Sequence, residues 1–177
     1  MLPDPLHPAV VHLPMALAVL IPLFALLAGL AIRSELMPAR GWLVVPFLAA
    51  LLAGASWVAL ETGEDQEERV EQVVAERHIE DHEEQGETFM TVAAVLLAVS
   101  FTGLLSGPAG EVGRAVAFGL AVAVLGFAIM VGHSGGELVY RHGASLAYIE
   151  NAPQDVEGAK AALLAHRANH EDSDDDD

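Results

Sequence analysis

Four long runs of uncharged, mostly apolar residues alternate along the chain with turns and with charged segments. The runs cover about residues 10–32, 41–60, 88–107 and 115–132. Each is close to the roughly 20 residues that an α-helix needs to cross the ~30 Å hydrocarbon core of a bilayer. A helix also satisfies its own backbone hydrogen bonds in lipid. The pattern therefore predicts an all-α integral membrane protein with four spans.

The connections between these spans differ in length and charge. Residues 33–40 and 108–114 form short turns, whereas residues 61–87 form a long acidic connection. In that connection apolar residues recur at helical spacing from Val70 to Ile79, so we expect an amphipathic helix that continues from the second span or lies beside it. Short connections favour antiparallel neighbours, and we expect an up-down four-helix bundle.

The membrane domain extends over about residues 5–145. Residues 146–170 form an amphipathic segment of mixed apolar and charged side chains, in which we expect a short helix at the membrane interface from about Val156 to His170. Residues 171–177 are almost entirely acidic, and we expect a disordered tail. The N-terminus has no basic region, and its apolar run is long enough to span, so we expect no cleavable signal peptide.

Several residues inside the spans predict local features. Pro14 and Pro22 each remove a backbone hydrogen bond and should bend the first helix. Trp42 and Trp57 lie near the two ends of the second span, as in the aromatic belts of membrane proteins. The glycines at 103 and 107 form a GxxxG pattern, which would let helices cross closely.

Composition agrees with this picture and excludes several classes of protein. Of the 177 residues, 53% are hydrophobic, yet the formal charge is −17, which is consistent only with segregated apolar and acidic segments. The negative charge opposes nucleic acid as a partner, because phosphate binding needs a basic surface. The chain has no cysteine, which excludes disulfides, Fe–S clusters, covalently attached haem and thiol catalysis within it.

Four crossings place the starts of the first and third spans and the ends of the second and fourth on one side of the bilayer. That side holds His7, His12, Glu61, His78, His82, His133, Glu137 and His142. The opposite side holds Arg33, Arg40 and Arg114. The positive-inside rule favours a cytoplasmic arginine side. We therefore expect a multi-pass protein of the plasma (inner) membrane with an exoplasmic histidine face.

The motifs at the ends of the spans resemble those of a known family. His-Pro-Ala-Val-Val-His-Leu-Pro at residues 7–14 opens the first span, and Thr62-Gly63 closes the second. Gly-His-Ser-Gly-Gly-Glu-Leu-Val-Tyr-Arg-His-Gly at residues 132–143 closes the fourth. Over about residues 5–145 the chain resembles the DUF2231 family of four-span membrane proteins, which has no assigned activity. Its domain resembles one fused to Rieske-type or c-type cytochrome modules. The resemblance therefore implies a redox setting, with membrane or exoplasmic redox proteins as partners.

Histidines at membrane depth are costly without a partner, which makes them candidates for function. A b-type haem in a helical bundle needs two imidazoles on facing helices and small residues beside the macrocycle. We expect haem b at the histidine face, with the pair of ligands left open. The candidate ligands are His12, His82, His133 and His142, with Gly135 and Gly136 making room for the ring and Arg141 meeting a propionate.

A divalent transition metal is the alternative cofactor, because imidazoles and carboxylates together suit such ions. Its candidate ligands are His12, Glu61, His82 and His133, although their spacing matches no compact metal motif. Two further alternatives are a quinone or proton site that uses Glu137 and a structural subunit without a cofactor. The chain lacks a phosphate-binding loop and a nucleophile elbow, so we expect a carrier or binding protein rather than an enzyme.

Each histidine also has a purely structural interpretation. His7 could begin a helix beside Pro8. His78 and His82 could belong to a solvated charged face, although their spacing places them on the same side of a helix. His12 and His133 could form hydrogen bonds between helices.

Overall fold

The computed structural model describes residues 5–149, 155–162 and 164–165. Its α-helices are α1 (His7–Val10), α2 (His12–Arg33), α3 (Val44–Val70), α4 (Glu76–Ser100) and α5 (Gly107–Tyr140). Short 3-10 segments cover Ala39–Leu43, Phe101–Leu104 and Ala144–Tyr148. Residues 156–162 and 164–165 are helical as well. This described part of the chain contains no strand, which confirms the all-α prediction. The predicted tail at 171–177 and the end of the predicted C-terminal helix lie outside it.

The four long helices α2 to α5 form an up-down bundle. Each packs against two others: α2 on α3, α3 on α4, α4 on α5, and α5 on α2. By length and composition, four stretches could cross a membrane. They are His7–Arg33, Ala39–Val70, Glu76–Leu104 and Gly107–Tyr140. One end of the bundle carries the histidines and is called the histidine end. The other carries Arg33, Arg40 and Arg114 and is called the arginine end.

Alanines make up half of the buried residues in the centre of the bundle. Ala18, Ala49, Ala93, Ala117 and Ala121 are fully buried there. Large apolar side chains such as Leu23, Phe47 and Ile129 point outward. In lipid the hydrophobic effect does not drive helices together, so association depends on close van der Waals packing, which small residues permit. The outward apolar surface is therefore what a bilayer would cover.

The long helices continue past the predicted spans. α3 runs ten residues beyond Leu60 and α4 begins at Glu76, so the acidic connection is two helical extensions joined by residues 71–75. The predicted amphipathic helix from Val70 to Ile79 is therefore wrong: Val70 ends α3, residues 71–75 form a turn, and Ile79 lies in α4. At 1.5 Å per residue, α5 is roughly 50 Å long, well beyond the ~30 Å hydrocarbon core. Its extension includes the glycine- and histidine-rich motif.

The prolines have different consequences. Pro14 lacks a backbone N–H, and its ring crowds the carbonyl four residues earlier, which is that of Val10. The helix is interrupted there: α1 ends at Val10 and α2 begins at His12. Pro22 is buried inside α2.

Trp42 is a core residue, and the prediction that it marks the membrane interface is wrong. Its side chain is fully buried, and its indole N–H donates a 2.8 Å hydrogen bond to the carbonyl of Ser100. Gly103 provides the space: a Cβ there would lie 2.6 Å from Trp42 Cε2. Gly107 has a φ of 65° and begins the next helix. The predicted GxxxG pattern is therefore divided between two elements. Trp57, by contrast, is 57% exposed.

Replacing Gly103 with alanine should destabilise the bundle, because the added methyl group overlaps a buried indole that cannot move freely. Overpacking of this kind costs about 1–3 kcal/mol. Thermal unfolding of the purified protein in detergent should show a clear fall in Tm. The control is Gly54→Ala, since a Cβ at Gly54 meets nothing within 4 Å. Unchanged Tm values in both variants would mean that Trp42 does not occupy the space beside Gly103.

Candidate functional site

Two imidazoles from different helices meet at the histidine end. His7 is the first residue of α1, and His82 lies in the second turn of α4. Their ring centroids are 6.3 Å apart, and the ring planes are nearly perpendicular, at 87°. Both side chains are half-buried. The single turn of α1 packs against α3, which holds His7 over the mouth of the bundle.

The hydrogen bonds of His7 define its tautomer. Its Nδ1 lies 2.8 Å from the carbonyl oxygen of Ala59 and 3.4 Å from Oγ1 of Thr62. A carbonyl only accepts, so Nδ1 carries the proton and donates, and in the neutral ring Nε2 holds a lone pair. Gly63 allows this approach, since a Cβ there would lie 3.3 Å from Cε1 of His7.

His82 is oriented in the same way from the other side of the bundle. Its Nδ1 lies 2.8 Å from Oγ of Ser134, and that hydroxyl donates its own hydrogen to the carbonyl of Val131 at 3.1 Å. The hydroxyl oxygen therefore accepts from Nδ1, which leaves Nε2 of neutral His82 with a lone pair. A Cβ at Gly135 would lie 3.1 Å from Cε1 of His82. The space beside this glycine is thus occupied by the imidazole ring.

A second pair of histidines lies farther from the bundle centre. The rings of His78 and His142 are stacked, with centroids 3.8 Å apart and planes 19° apart. Arg77 Nε donates to Nε2 of His78 at 3.3 Å. Gly143 has a φ of 84°, a left-handed conformation that turns the chain away from α5. Burial, and next the nearby His78, lower the pKa of His142 below its usual value.

A second apolar cluster lies apart from the core of the bundle. Val73, Val74, Leu138, Ala144 and Ala159 are its buried residues. It joins the turn after α3, the end of α5, the last 3-10 segment and the helix at 156–162.

The outer face of α5 carries a line of charged groups. His133 is exposed, and its Nε2 lies 3.9 Å from the Glu137 carboxylate. Glu137 also accepts a 2.6 Å hydrogen bond from Arg141. These residues line an open surface cavity of about 530 Å³ together with Gly132, Gly136 and Tyr140. Exposed pairs of this kind contribute little to stability. The Arg141 predicted to meet a propionate therefore pairs with a carboxylate on its own helix.

The structure does not gather the predicted metal ligands into one site. His12, Glu61 and His133 are exposed, whereas His82 points into the bundle. In the part of the chain that the structure describes, no group of three or more histidine or acidic side chains could hold a metal ion. Of the predicted haem ligands, His82 and His142 lie in the two histidine pairs, while His12 and His133 lie on outward faces.

Sequence reasoning overlooked His7 and Ser134 as site residues. In the sequence His7 also fits the start of a helix, and His133 is a more typical ligand than the serine beside it. The spacing of buried residues contained the missing signal. Pro14 and Ile21 are buried in α2 and lie seven residues apart, and His7 lies seven residues before Pro14. His12 lies outside that series.

These features define a class of protein. Four helices of spanning length surround a small-residue core and expose large apolar side chains, which is the arrangement of a helical membrane protein. The family described as "Predicted membrane protein (DUF2231)" matches residues 3–147, and the chain belongs to it. The family resemblance is thus confirmed. Neither the comparison with curated proteins nor that with solved structures finds a match.

Acidification should loosen the contact between His142 and α4. The lowered pKa means that His142 binds a proton more readily once this contact opens. The stability it contributes is therefore present above its ordinary pKa of about 6.5 and is lost as the pH falls. Charges from His78, Arg77 and Arg141 oppose protonation, while Glu137 favours it. We expect amide exchange at residues 143–148, corrected for intrinsic rates, to be faster at about pH 5.5 than at about pH 7.5.

The matched variant for this experiment is His142→Phe. It keeps a flat ring against His78 but cannot be protonated, so its corrected exchange rates should not depend on pH. An equal pH effect in wild type and variant would assign the effect to other groups.

Proposed function

We propose that this membrane protein is a small redox-associated carrier that binds haem b at its histidine end through His7 and His82. The observation that supports this most is the pair of imidazoles on different helices, each with Nδ1 bonded to the protein and Nε2 free to donate a lone pair. Histidines that bind metals usually donate their other ring N–H to a protein acceptor, which fixes the ring and raises its basicity.

The separation of the rings would let His7 and His82 hold one metal centre together. A metal–imidazole bond is about 2 Å long, and the ring centre lies ~1 Å beyond the nitrogen. Rings on opposite sides of one metal therefore have centroids roughly 6 Å apart, close to the 6.3 Å of His7 and His82. Cofactor sites in helical bundles are built in this way, from side chains on facing helices. This ligand pair revises the sequence-based set, from which only His82 is kept.

The donor set fits haem, which would supply one-electron chemistry when bound. The chain's own groups would position it. Ala59 and Ser134 hold the two rings, and Gly63 and Gly135 let them lie close to α3 and α5.

A single transition-metal ion is the second candidate, and the close packing around the rings favours it. A Cβ added at Gly63 or Gly135 would lie only 3.1–3.3 Å from Cε1 of the neighbouring imidazole, so each ring fills the space beside its glycine, and a bare ion needs no flat slot between helices. Two neutral imidazoles suit zinc, copper or nickel ions. Solvent or an added ligand would complete the coordination. A subunit without a cofactor is the remaining alternative.

A visible spectrum separates these proposals. Protein expressed with a supply of haem and purified in detergent should show a Soret band that shifts on reduction. His7→Ala and His82→Ala should each lose most of it, because each removes one of the two imidazoles that would hold the haem. The controls are His12→Ala and His133→Ala, whose exposed side chains should be dispensable. A band that survives in the first two and disappears in the controls would contradict the proposed pair and make His12 and His133 the ligands.

If no Soret band forms, metal analysis of protein purified without chelators tests the second candidate. Near-stoichiometric metal that is lost in His82→Ala supports a bare ion. Protein with neither haem nor metal contradicts both proposals and favours the structural subunit.

Replacing Ser134 with alanine should weaken whichever cofactor binds. The variant removes the acceptor that orients His82 but leaves both imidazoles in place. Loss of such a supporting hydrogen bond usually lowers metal affinity about 10–100-fold. Haem or metal titration of the apoprotein measures this change. Ser145→Ala is the control, because Ser145 is exposed at the same end. Equal affinities in both variants would show that Ser134 does not position a ligand.

A further inference from the structure

A groove of about 180 Å³ lies at the arginine end, between the end of α2 and the start of α5. Its polar part is lined by Arg33, Arg114 and Glu111. Arg33 is exposed in the last turn of α2, and Arg114 is half-buried in the second turn of α5. The groove lies at the opposite end of the bundle from the histidine pairs, so it is independent of the proposed cofactor site.

The rest of the groove is apolar and lies on the side of the middle of the bundle. Leu30 lies one turn before Arg33, and Phe118 lies one turn after Arg114. Both line the groove on the side of the bundle centre. Gly29 and Ala115 leave room between them. The groove therefore changes from apolar to cationic in the direction in which a lipid changes from acyl chain to headgroup.

We propose that this groove binds one anionic phospholipid, with its phosphate at the two arginines and an acyl chain between Leu30 and Phe118. A volume of about 180 Å³ holds roughly six water-sized groups, which suits the upper part of one chain. Basic pockets between membrane helices at the headgroup level are typical sites for anionic lipids.

The arginines are arranged for a phosphate. Arg114 Nη1 donates to the carbonyl of Gly103 at 2.7 Å, which orients the guanidinium group. That bond uses one of five N–H donors, so the planar group keeps donors for a bidentate phosphate contact. Arg33 carries the second positive charge.

Glu111 sets the charge of the site. Two arginines and one carboxylate leave a net charge of about +1, which matches the single negative charge of a phosphodiester. A free phosphate ion would not use the apolar walls, so the groove fits a lipid better than an ion.

The experiment measures lipid retention by the full-length protein. Purified protein is titrated with dioleoyl phosphatidylglycerol or dioleoyl phosphatidylcholine in detergent, and bound lipid is counted by native mass spectrometry. We expect one retained phosphatidylglycerol in preference to phosphatidylcholine. Arg33→Gln should lower that preference about fivefold, the usual effect of one basic residue beside an anionic headgroup.

Two variants keep the result interpretable. Arg40→Gln removes a charge at the same end outside the groove and should bind like wild type. Glu111→Gln should strengthen phosphatidylglycerol binding, and this gain cannot come from misfolding. The proposal is overturned if both lipids bind equally, if Arg33→Gln and Arg40→Gln weaken binding equally, or if glycerol phosphate displaces the lipid at similar concentrations.

Discussion

The histidine end depends on helices α3, α4 and α5, which continue beyond the apolar spans. A helix keeps a fixed angle per residue, so a side chain outside the membrane stays on the face that its phase dictates. On α4 the inward face runs from Ser100 and Leu96 through Phe89 to His82 and His78. If loops replaced these helical extensions, the histidines would not stay on the inward face of the helix. His78 and His82 are therefore positioned by the same periodicity that builds the core.

Small residues determine how close the imidazoles come. In the centre of the bundle alanines let the helices approach each other, and Gly103 accepts the indole of Trp42. The same device continues at the histidine end, where Gly63 and Gly135 lie against the rings of His7 and His82. Close contacts of this kind matter in a membrane protein because the hydrophobic effect does not drive helices together in lipid, so their association depends on van der Waals packing. Glycine in these motifs thus makes room for histidine side chains.

Most of the fold could be predicted from the apolar runs, because their length and their lack of charge leave few alternatives in a bilayer. The histidine pairs could not be predicted from the number of spans, which assigns a side of the membrane but not a face of a helix. His7 and His12 are five residues apart, about 140° around a helix, so both cannot face inward. The choice between them needed the phase of the buried residues Pro14 and Ile21. Likewise Ser134 faces inward and its neighbour His133 does not.

The burial of Trp42 could not be predicted for a different reason. Its position near the end of a span is typical of an interfacial tryptophan, and nothing local indicates burial. Burial depends on Gly103, which is distant in sequence and lies in a 3-10 segment between α4 and α5. The contact between Trp42 and Gly103 is a tertiary contact, and the hydropathy pattern of a sequence does not show which distant residues will meet.

The charge around the histidine end bears on what binds there. The extensions of α3 and α4 are rich in glutamate, and exposed carboxylates raise the local concentration of cations. Neutral imidazoles inside such a surface attract a metal cation, whereas the propionates of a haem need positive partners. Arg77 donates to His78, and Arg141 is paired with Glu137, so both guanidinium groups already have partners nearby. A haem would have to recruit one of them, and a bare ion would need neither. The electrostatics would therefore suit the proposed ion better than the proposed haem, whereas the ring separation suits a metal centre of either kind.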